Sequence, residues 1–133
     1  MSIDREVILD HWRRAVRALD TAKSNLTFDP DAAANRAYYS VFHAVSALFM
    51  LDDKTFKSHS GVEIAVHKDL VHEGRWPVEL GDAYKDLHRL RMVGDYGSRA
   101  HVSKEQAREA IGLAEKIITA VHNENKEIFS MGK

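Results

Sequence analysis

Apolar residues recur at intervals of three and four positions through most of this 133-residue chain. This spacing is typical of helices that bury one face, and no segment shows the alternation of a strand. The chain has only two prolines and seven glycines, which punctuate the periodic segments. The pattern predicts helices over about Ile3–Leu26, Ala32–Leu51, Ser60–His72, Trp76–Val93 and Ser103–Asn123. We therefore expect an all-α fold, an antiparallel up-and-down bundle of four longer helices plus one short helix.

The expected helix ends carry capping and turn residues. Asp29-Pro30-Asp31 is a typical turn and helix start, and Ser60–Glu63 and Ser103–Gln106 have the form of capping boxes. The two glycines between Gly94 and Val102 indicate a loop. The polar tail from about residue 124 is expected to fray.

Length and composition narrow the class of protein. One domain over 1–133 is expected at this size. The 20 acidic and 19 basic side chains almost balance, so binding of nucleic acid or membrane by overall charge is not expected. The absence of cysteine and of a signal-like or membrane-spanning segment favours a cytoplasmic location. Because glycine-rich phosphate loops and metal-ligand motifs are absent, no metal or cofactor is expected.

An arginine lies on an apolar helix face. Leu80, Tyr84, Leu87 and Arg91 fall within an arc of about 60° around a helix axis. A sheltered guanidinium stays charged and needs a carboxylate, a phosphate or water. Asp95, four residues later, is a suitable partner if the helix continues through Gly94, and the pair would then close the helix end. The alternative is a site in which Arg91 faces an anionic ligand.

A second candidate group lies on the second helix. Arg36, Tyr39 and His43 share one face, opposite an apolar stripe, so this helix is expected to be sheltered on two sides. The trio indicates either a cleft or subunit interface, or an ordinary packed histidine beside a tyrosine at the rim. His59 stands in a polar loop before the third helix, where most such residues serve as caps.

Three segments together resemble HEPN domains. They are RAYYSVFH at residues 36–43, KSHSGV at residues 57–62 and LRMVGDY at residues 90–96. The chain is most similar to the small single-domain bacterial and archaeal branch. That resemblance implies a bundle of about five helices that often dimerises. It also implies a minimal nucleotidyltransferase as partner in a toxin–antitoxin-like module.

Several HEPN branches are metal-independent ribonucleases, in which an arginine is followed after four to six residues by histidine. Such chemistry needs a cation for the phosphate and an imidazole to move protons. Here the residue five positions after Arg91 is Tyr96, whose unperturbed pKa of about 10 suits proton transfer poorly. The resemblance therefore leaves open whether the chain is an enzyme, and the candidate catalytic residues are Arg91 and His43, with His59 as a further source of an imidazole.

Three hypotheses follow. In the first, a dimeric module engages the nucleotidyltransferase and binds a nucleotide or RNA phosphate. Arg36 and Arg91 would then hold the anion, Tyr39 and Tyr96 would line the cleft, and Asp95 would orient Arg91. In the second, the chain is a ribonuclease toxin that uses Arg91 with a distant histidine. In the third, the polar residues form a structural network without a ligand.

Overall fold

The computed structural model describes residues 3–97 and 99–131. In this part of the chain there are five α-helices and no strand, so the all-α prediction is confirmed. The helices are α1 (Arg5–Asn25), α2 (Pro30–Leu51), α3 (His59–Ala65), α4 (Val78–Tyr96) and α5 (Lys104–Glu124), with a π-helical segment at Val66–Val71 directly after α3.

Side-chain caps fix most helix starts. Asp4, Asp29 and Ser103 each accept a backbone N–H from the first turn of α1, α2 and α5, and Ser103 and Gln106 form the predicted capping box. The start of α3 differs from the prediction, because Ser58 and not Ser60 is the cap, with its Oγ 3.0 Å from the Gly61 nitrogen.

Helix α2 lies at the centre of the bundle. It packs against α1, α4 and α5, and its buried residues come from most of its circumference. Many of them are small alanines, which allow close approach of the neighbouring helices. Ser40 is fully buried on this helix, and its hydroxyl donates to the Ala15 carbonyl of α1 at 2.9 Å. The expectation that this helix is sheltered on two sides is confirmed.

Helix α4 extends into the stretch Gly94–Val102, which was predicted to be a loop. It continues through Gly94 to Tyr96, and the start of α2 at Asp31 passes very close to Gly94. A Cβ on Gly94 would lie 3.2 Å from the Asp31 carbonyl oxygen. Gly94 is therefore a close-approach glycine inside a helix, and α4 keeps Asp95 on the same face as Arg91.

The C-terminal segment does not fray over residues 125–131. Phe129 is fully buried and packs against Trp12, with ring centroids 5.2 Å apart. Trp12 Nε1 donates to the Ser130 carbonyl at 2.6 Å, and the Phe129 carbonyl bonds to His122. Residues 132 and 133 of the predicted tail lie outside the described residues. None of the described helices is long and apolar enough to cross a membrane.

Candidate functional site

Arg91 forms the centre of a small cluster at the C-terminal end of α4. Its side chain is 12% exposed. Its Nε donates to Asp95 Oδ2 at 3.2 Å and its Nη2 to the Tyr96 hydroxyl at 3.4 Å. The ion pair with Asp95 is the one predicted from the four-residue spacing.

Three tyrosine rings surround the Arg91 guanidinium. Its Cζ lies 5.1 Å from the ring centroid of Tyr38, 5.2 Å from that of Tyr39 and 5.8 Å from that of Tyr96. These separations are within the range of cation–π attraction. We call the group Tyr38, Tyr39, Arg91, Asp95 and Tyr96 the aromatic cleft. It combines one sheltered cation with the faces of aromatic rings.

Arg36 lies at the edge of the aromatic cleft. Its Cζ is 5.0 Å from the Tyr39 ring centroid, so Tyr39 contacts both arginines. Its Nε donates to the Asn35 side-chain oxygen at 3.0 Å, while the Asn35 amide donates to Asp95 Oδ2 at 2.9 Å. Asn35 thus connects the two charged groups. Within the described ranges, Arg36 has no carboxylate partner.

His59 is the predicted histidine that lies next to the aromatic cleft. Its Nδ1 is 3.4 Å from the Tyr38 hydroxyl, and its ring packs on Phe42 with centroids 4.3 Å apart. Burial lowers the pKa of His59, and the charges of Arg91 and His88 lower it further. The imidazole is therefore neutral at pH 7.

His43 lies apart from Arg91 and pairs with α1. Its Nδ1 is 3.1 Å from Nδ1 of His11. Burial lowers the pKa of His43 to about 4, with further contributions from His11, Arg14 and Arg36. Its ring still contacts Phe42 and Tyr39, at 5.5 and 6.4 Å between centroids. Of the predicted residues, His43 is the one the structure does not bring to Arg91.

Several residues of this region were not identified from the sequence. Asn35 carried no signal of its own, since its partner Asp95 is 60 positions away. Tyr38 stands in the RAYYSVFH segment but was not assigned to the site. His88 did carry a signal, because it stands three residues before Arg91 and so shares its face. His88 Nδ1 lies 2.7 Å from Glu63 Oε1, and its ring centroid is 5.7 Å from that of Tyr38.

Two surface cavities meet at Tyr96, which is 65% exposed. One, the polar cavity, of about 650 Å³, includes Arg36 together with three carboxylates, those of Asp29, Asp31 and Asp95. The other, of about 490 Å³, is a shallow apolar groove along α4 that includes Met92 and Val93. Tyr96 lines both cavities and hydrogen-bonds to Arg91. The described residues contain no cluster of three side chains suited to a metal ion.

Comparison with known proteins supports the resemblance noted from the motifs. The chain is 36% identical over 120 residues to a UPF0332 protein of Thermotoga maritima, covering 89% of this chain and 91% of that protein. It is 27% identical to a UPF0332 protein of Gloeobacter violaceus, over 89% and 93% of the two chains. A putative toxin of Methanocaldococcus jannaschii is 32% identical over 77 residues, 58% of this chain and 52% of the relative. The HEPN domain family model matches residues 8–126, which is most of the chain, and this protein therefore belongs to the HEPN domain family.

Proposed function

We propose that this protein is a dimeric HEPN binding module that acts with a minimal nucleotidyltransferase in a toxin–antitoxin-like system. We further propose that the aromatic cleft binds a nucleotide or RNA phosphate. The observation that carries the ligand proposal is the state of Arg91. A guanidinium has five N–H donors, and within residues 3–97 and 99–131 Arg91 uses two of them. The same guanidinium lies within about 6 Å of the ring centroids of Tyr38, Tyr39 and Tyr96, and a cation beside aromatic rings suits a phosphate attached to a stacking base.

Tyr96 controls access to Arg91 in this proposal. Its hydroxyl accepts from Arg91, and its ring separates the polar cavity from the apolar groove. Tyr96 is the last residue of α4, so a change of its side-chain rotamer leaves the core of the bundle in place. Rotation of this ring would open Arg91 to a phosphate, and Asp95 would keep the guanidinium oriented.

The apolar groove on α4 supports the dimer. Met92 is 42% exposed, and the groove beside it is lined by more apolar than polar surface. A symmetric contact through this face would cover Met92 and place the Tyr96 side chains of two copies near each other. The names of two archaeal relatives, both putative toxins, support a toxin-like role.

Dimerisation can be tested by light scattering on the purified protein. The wild type should have the mass of a dimer, and Met92→Lys should be a monomer at the same concentration. Val7→Lys places the same charge at a residue that is 44% exposed on α1 and should remain dimeric. A monomeric wild type at micromolar concentration would contradict the dimer.

Ligand and partner binding need separate measurements. ATP and a short single-stranded RNA should raise the unfolding temperature of the wild type by clearly more than they raise that of Arg91→Met. Co-expression with a minimal nucleotidyltransferase encoded beside this protein should give a complex that co-purifies. If no ligand stabilises the wild type and Arg91→Met lowers stability by about 1–3 kcal/mol, the polar cluster is a structural network instead.

A ribonuclease remains the second candidate function, and His59 is the observation that favours it. His59 and Arg91 both contact Tyr38, and the lowered pKa of His59 keeps its imidazole in the unprotonated form that a general base needs. Expression would then arrest growth, and purified protein would cleave RNA without metal. His59→Ala should abolish both effects, whereas His43→Ala should retain them. Full activity of His59→Ala would exclude this mechanism.

A further inference from the structure

A separate cavity of about 210 Å³ lies between α1 and α2, away from Arg91. From α1 it is lined by Arg14, Arg17 and Thr21, which are spaced at i, i+3 and i+7 and so share a face. From α2 it is lined by Arg36 and His43, seven residues apart. We call this group of five residues the basic pocket. Its volume is several times that of a water molecule, about 30 Å³.

The charges of the basic pocket are poorly compensated. Its lining contains three guanidinium groups and no carboxylate. Arg14 pairs with Asp10, at 2.8 Å between Nε and Oδ2. Arg36 bonds through its Nε to a neutral amide, and Arg17 makes no hydrogen bond or ion pair in the described part of the chain. Such an excess of one sign within a concave site attracts an anion.

The pKa of His43 is affected by the arginines of the basic pocket. Burial is the largest cause that lowers the pKa of His43, and the charges of His11, Arg14 and Arg36 lower it further, while Asp10 opposes them. His43 therefore stays neutral and adds no further charge to the pocket. Its Nδ1 is engaged with His11, which leaves Nε2 as the ring nitrogen for a ligand.

We propose that the basic pocket is a phosphate-binding site, in which Arg17 and Arg36 bind the phosphate oxygens and Thr21 donates a further hydrogen bond. A planar guanidinium binds two phosphate oxygens at once, and several such groups suit an ion with three or four charged oxygens better than a single carboxylate. The pocket also adjoins the polar cavity beside Tyr96, since Arg36 and Thr21 line both. The phosphate can thus belong either to a free nucleotide or to an RNA backbone.

This site does not depend on ligand binding at Arg91. The aromatic cleft and the basic pocket share no residue, although Arg36 of the basic pocket contacts Tyr39 at the edge of the aromatic cleft. Arg91→Met should therefore leave the basic pocket intact, so that the failure of one proposal is visible without the failure of the other.

The first test uses inorganic pyrophosphate as the probe on the whole purified protein at low ionic strength. Binding should be saturable, and it should raise the pKa of His43 measured by NMR, because the anion offsets the charges of Arg14 and Arg36. Saturation without a change in the His43 pKa would place the anion elsewhere and overturn the proposal, as would the absence of saturable binding.

The second test compares two arginines of α1. Arg17→Ala should weaken pyrophosphate binding about tenfold or more, which is the effect of losing a charged hydrogen bond. Arg13→Ala removes the same charge from the same helix but outside the pocket, and it should change the affinity less than twofold. Both side chains are exposed, and alanine favours helix, so both variants should fold. Equal losses in the two variants would mean non-specific attraction and would overturn the site.

The source of the phosphate follows from two further probes. In the Arg91→Met background, which removes binding at the aromatic cleft, ATP that binds more tightly than an RNA oligonucleotide, with the affinity lost when Arg17→Ala is added, assigns the pocket to a free nucleotide. The reverse order with the same loss assigns it to an RNA backbone. If neither affinity changes in Arg17→Ala, the pocket does not bind phosphate.

Discussion

The His11–His43 pair should make the stability of this bundle depend on pH below neutrality. Burial is the main cause that lowers the pKa of His43, from 6.5 to about 4, and His11, Arg14 and Arg36 add to it while Asp10 opposes it. In the unfolded chain the same imidazole should have its ordinary pKa. Between pH 6.5 and pH 4 the unfolded state thus binds more protons than the folded state. The stability that the protein gains by keeping His43 neutral is complete above pH 6.5 and is lost as the pH falls towards 4.

The size of the effect follows from the shift in the His43 pKa. A difference of 6.5 − 4 = 2.5 units, at about 1.36 kcal/mol each, sets an upper limit of about 3.4 kcal/mol. His43 is only partly buried, so solvent screening reduces this value, and we expect about 1–2 kcal/mol. Replacement by glutamine keeps a polar group that can bond to His11 and removes the titration.

Urea unfolding at several pH values between 4 and 7 measures this contribution. Between pH 7 and pH 4 the free energy of unfolding of the wild type should fall by about 1–2 kcal/mol more than that of His43→Gln. His72→Gln is the matched control, because His72 is exposed on the surface, and its profile should follow the wild type. Parallel profiles for wild type and His43→Gln, or a His43 pKa near 6.5 by NMR, would refute the reasoning.

Two further predictions concern packing. Gly94→Ala should destabilise the protein by about 1 kcal/mol, because the added Cβ would meet the Asp31 backbone at 3.2 Å and outweigh the helix propensity of alanine. Gly112→Ala, with nothing within 4 Å of the added atom, should stabilise it by up to about 1 kcal/mol, and thermal unfolding of both variants distinguishes the two cases. Phe129→Ala should cost about 3–5 kcal/mol in urea unfolding, because its ring is fully buried. Phe28→Ala removes a ring that is 90% exposed and should change stability by less than about 0.5 kcal/mol; similar losses in both variants would contradict the packing of the C-terminal segment.

The helices and the local pairs could be predicted from the sequence because they depend on spacing along one helix. The apolar periodicity gave the five helices, and the four-residue spacing of Arg91 and Asp95 gave their ion pair. The helix boundary at Gly94 was wrong because glycine is usually a loop residue. Its role here depends on the approach of another helix, which a single segment does not show.

The contacts between helices could not be predicted, since they depend on how the helices are rotated and offset against each other. Asn35 and Asp95 are 60 positions apart, and His11 and His43 are 32 apart. Both pairs need α2 in one particular register. The packing of the C-terminal segment could have been predicted, because the apolar pair Ile128–Phe129 within an otherwise polar tail indicates a buried anchor.

The packing of Trp12 against the C-terminal segment has a consequence for synthesis on the ribosome. The helices α1 and α2 can pair as soon as residue 51 has left the exit tunnel. Trp12, however, gains its hydrogen bond from Ser130, which is added 118 positions later. At about 5–20 residues per second, this delay is roughly 6–24 s. During that interval part of the α1 surface stays uncovered on the nascent chain, and the bundle reaches its full stability only after residue 130 has emerged.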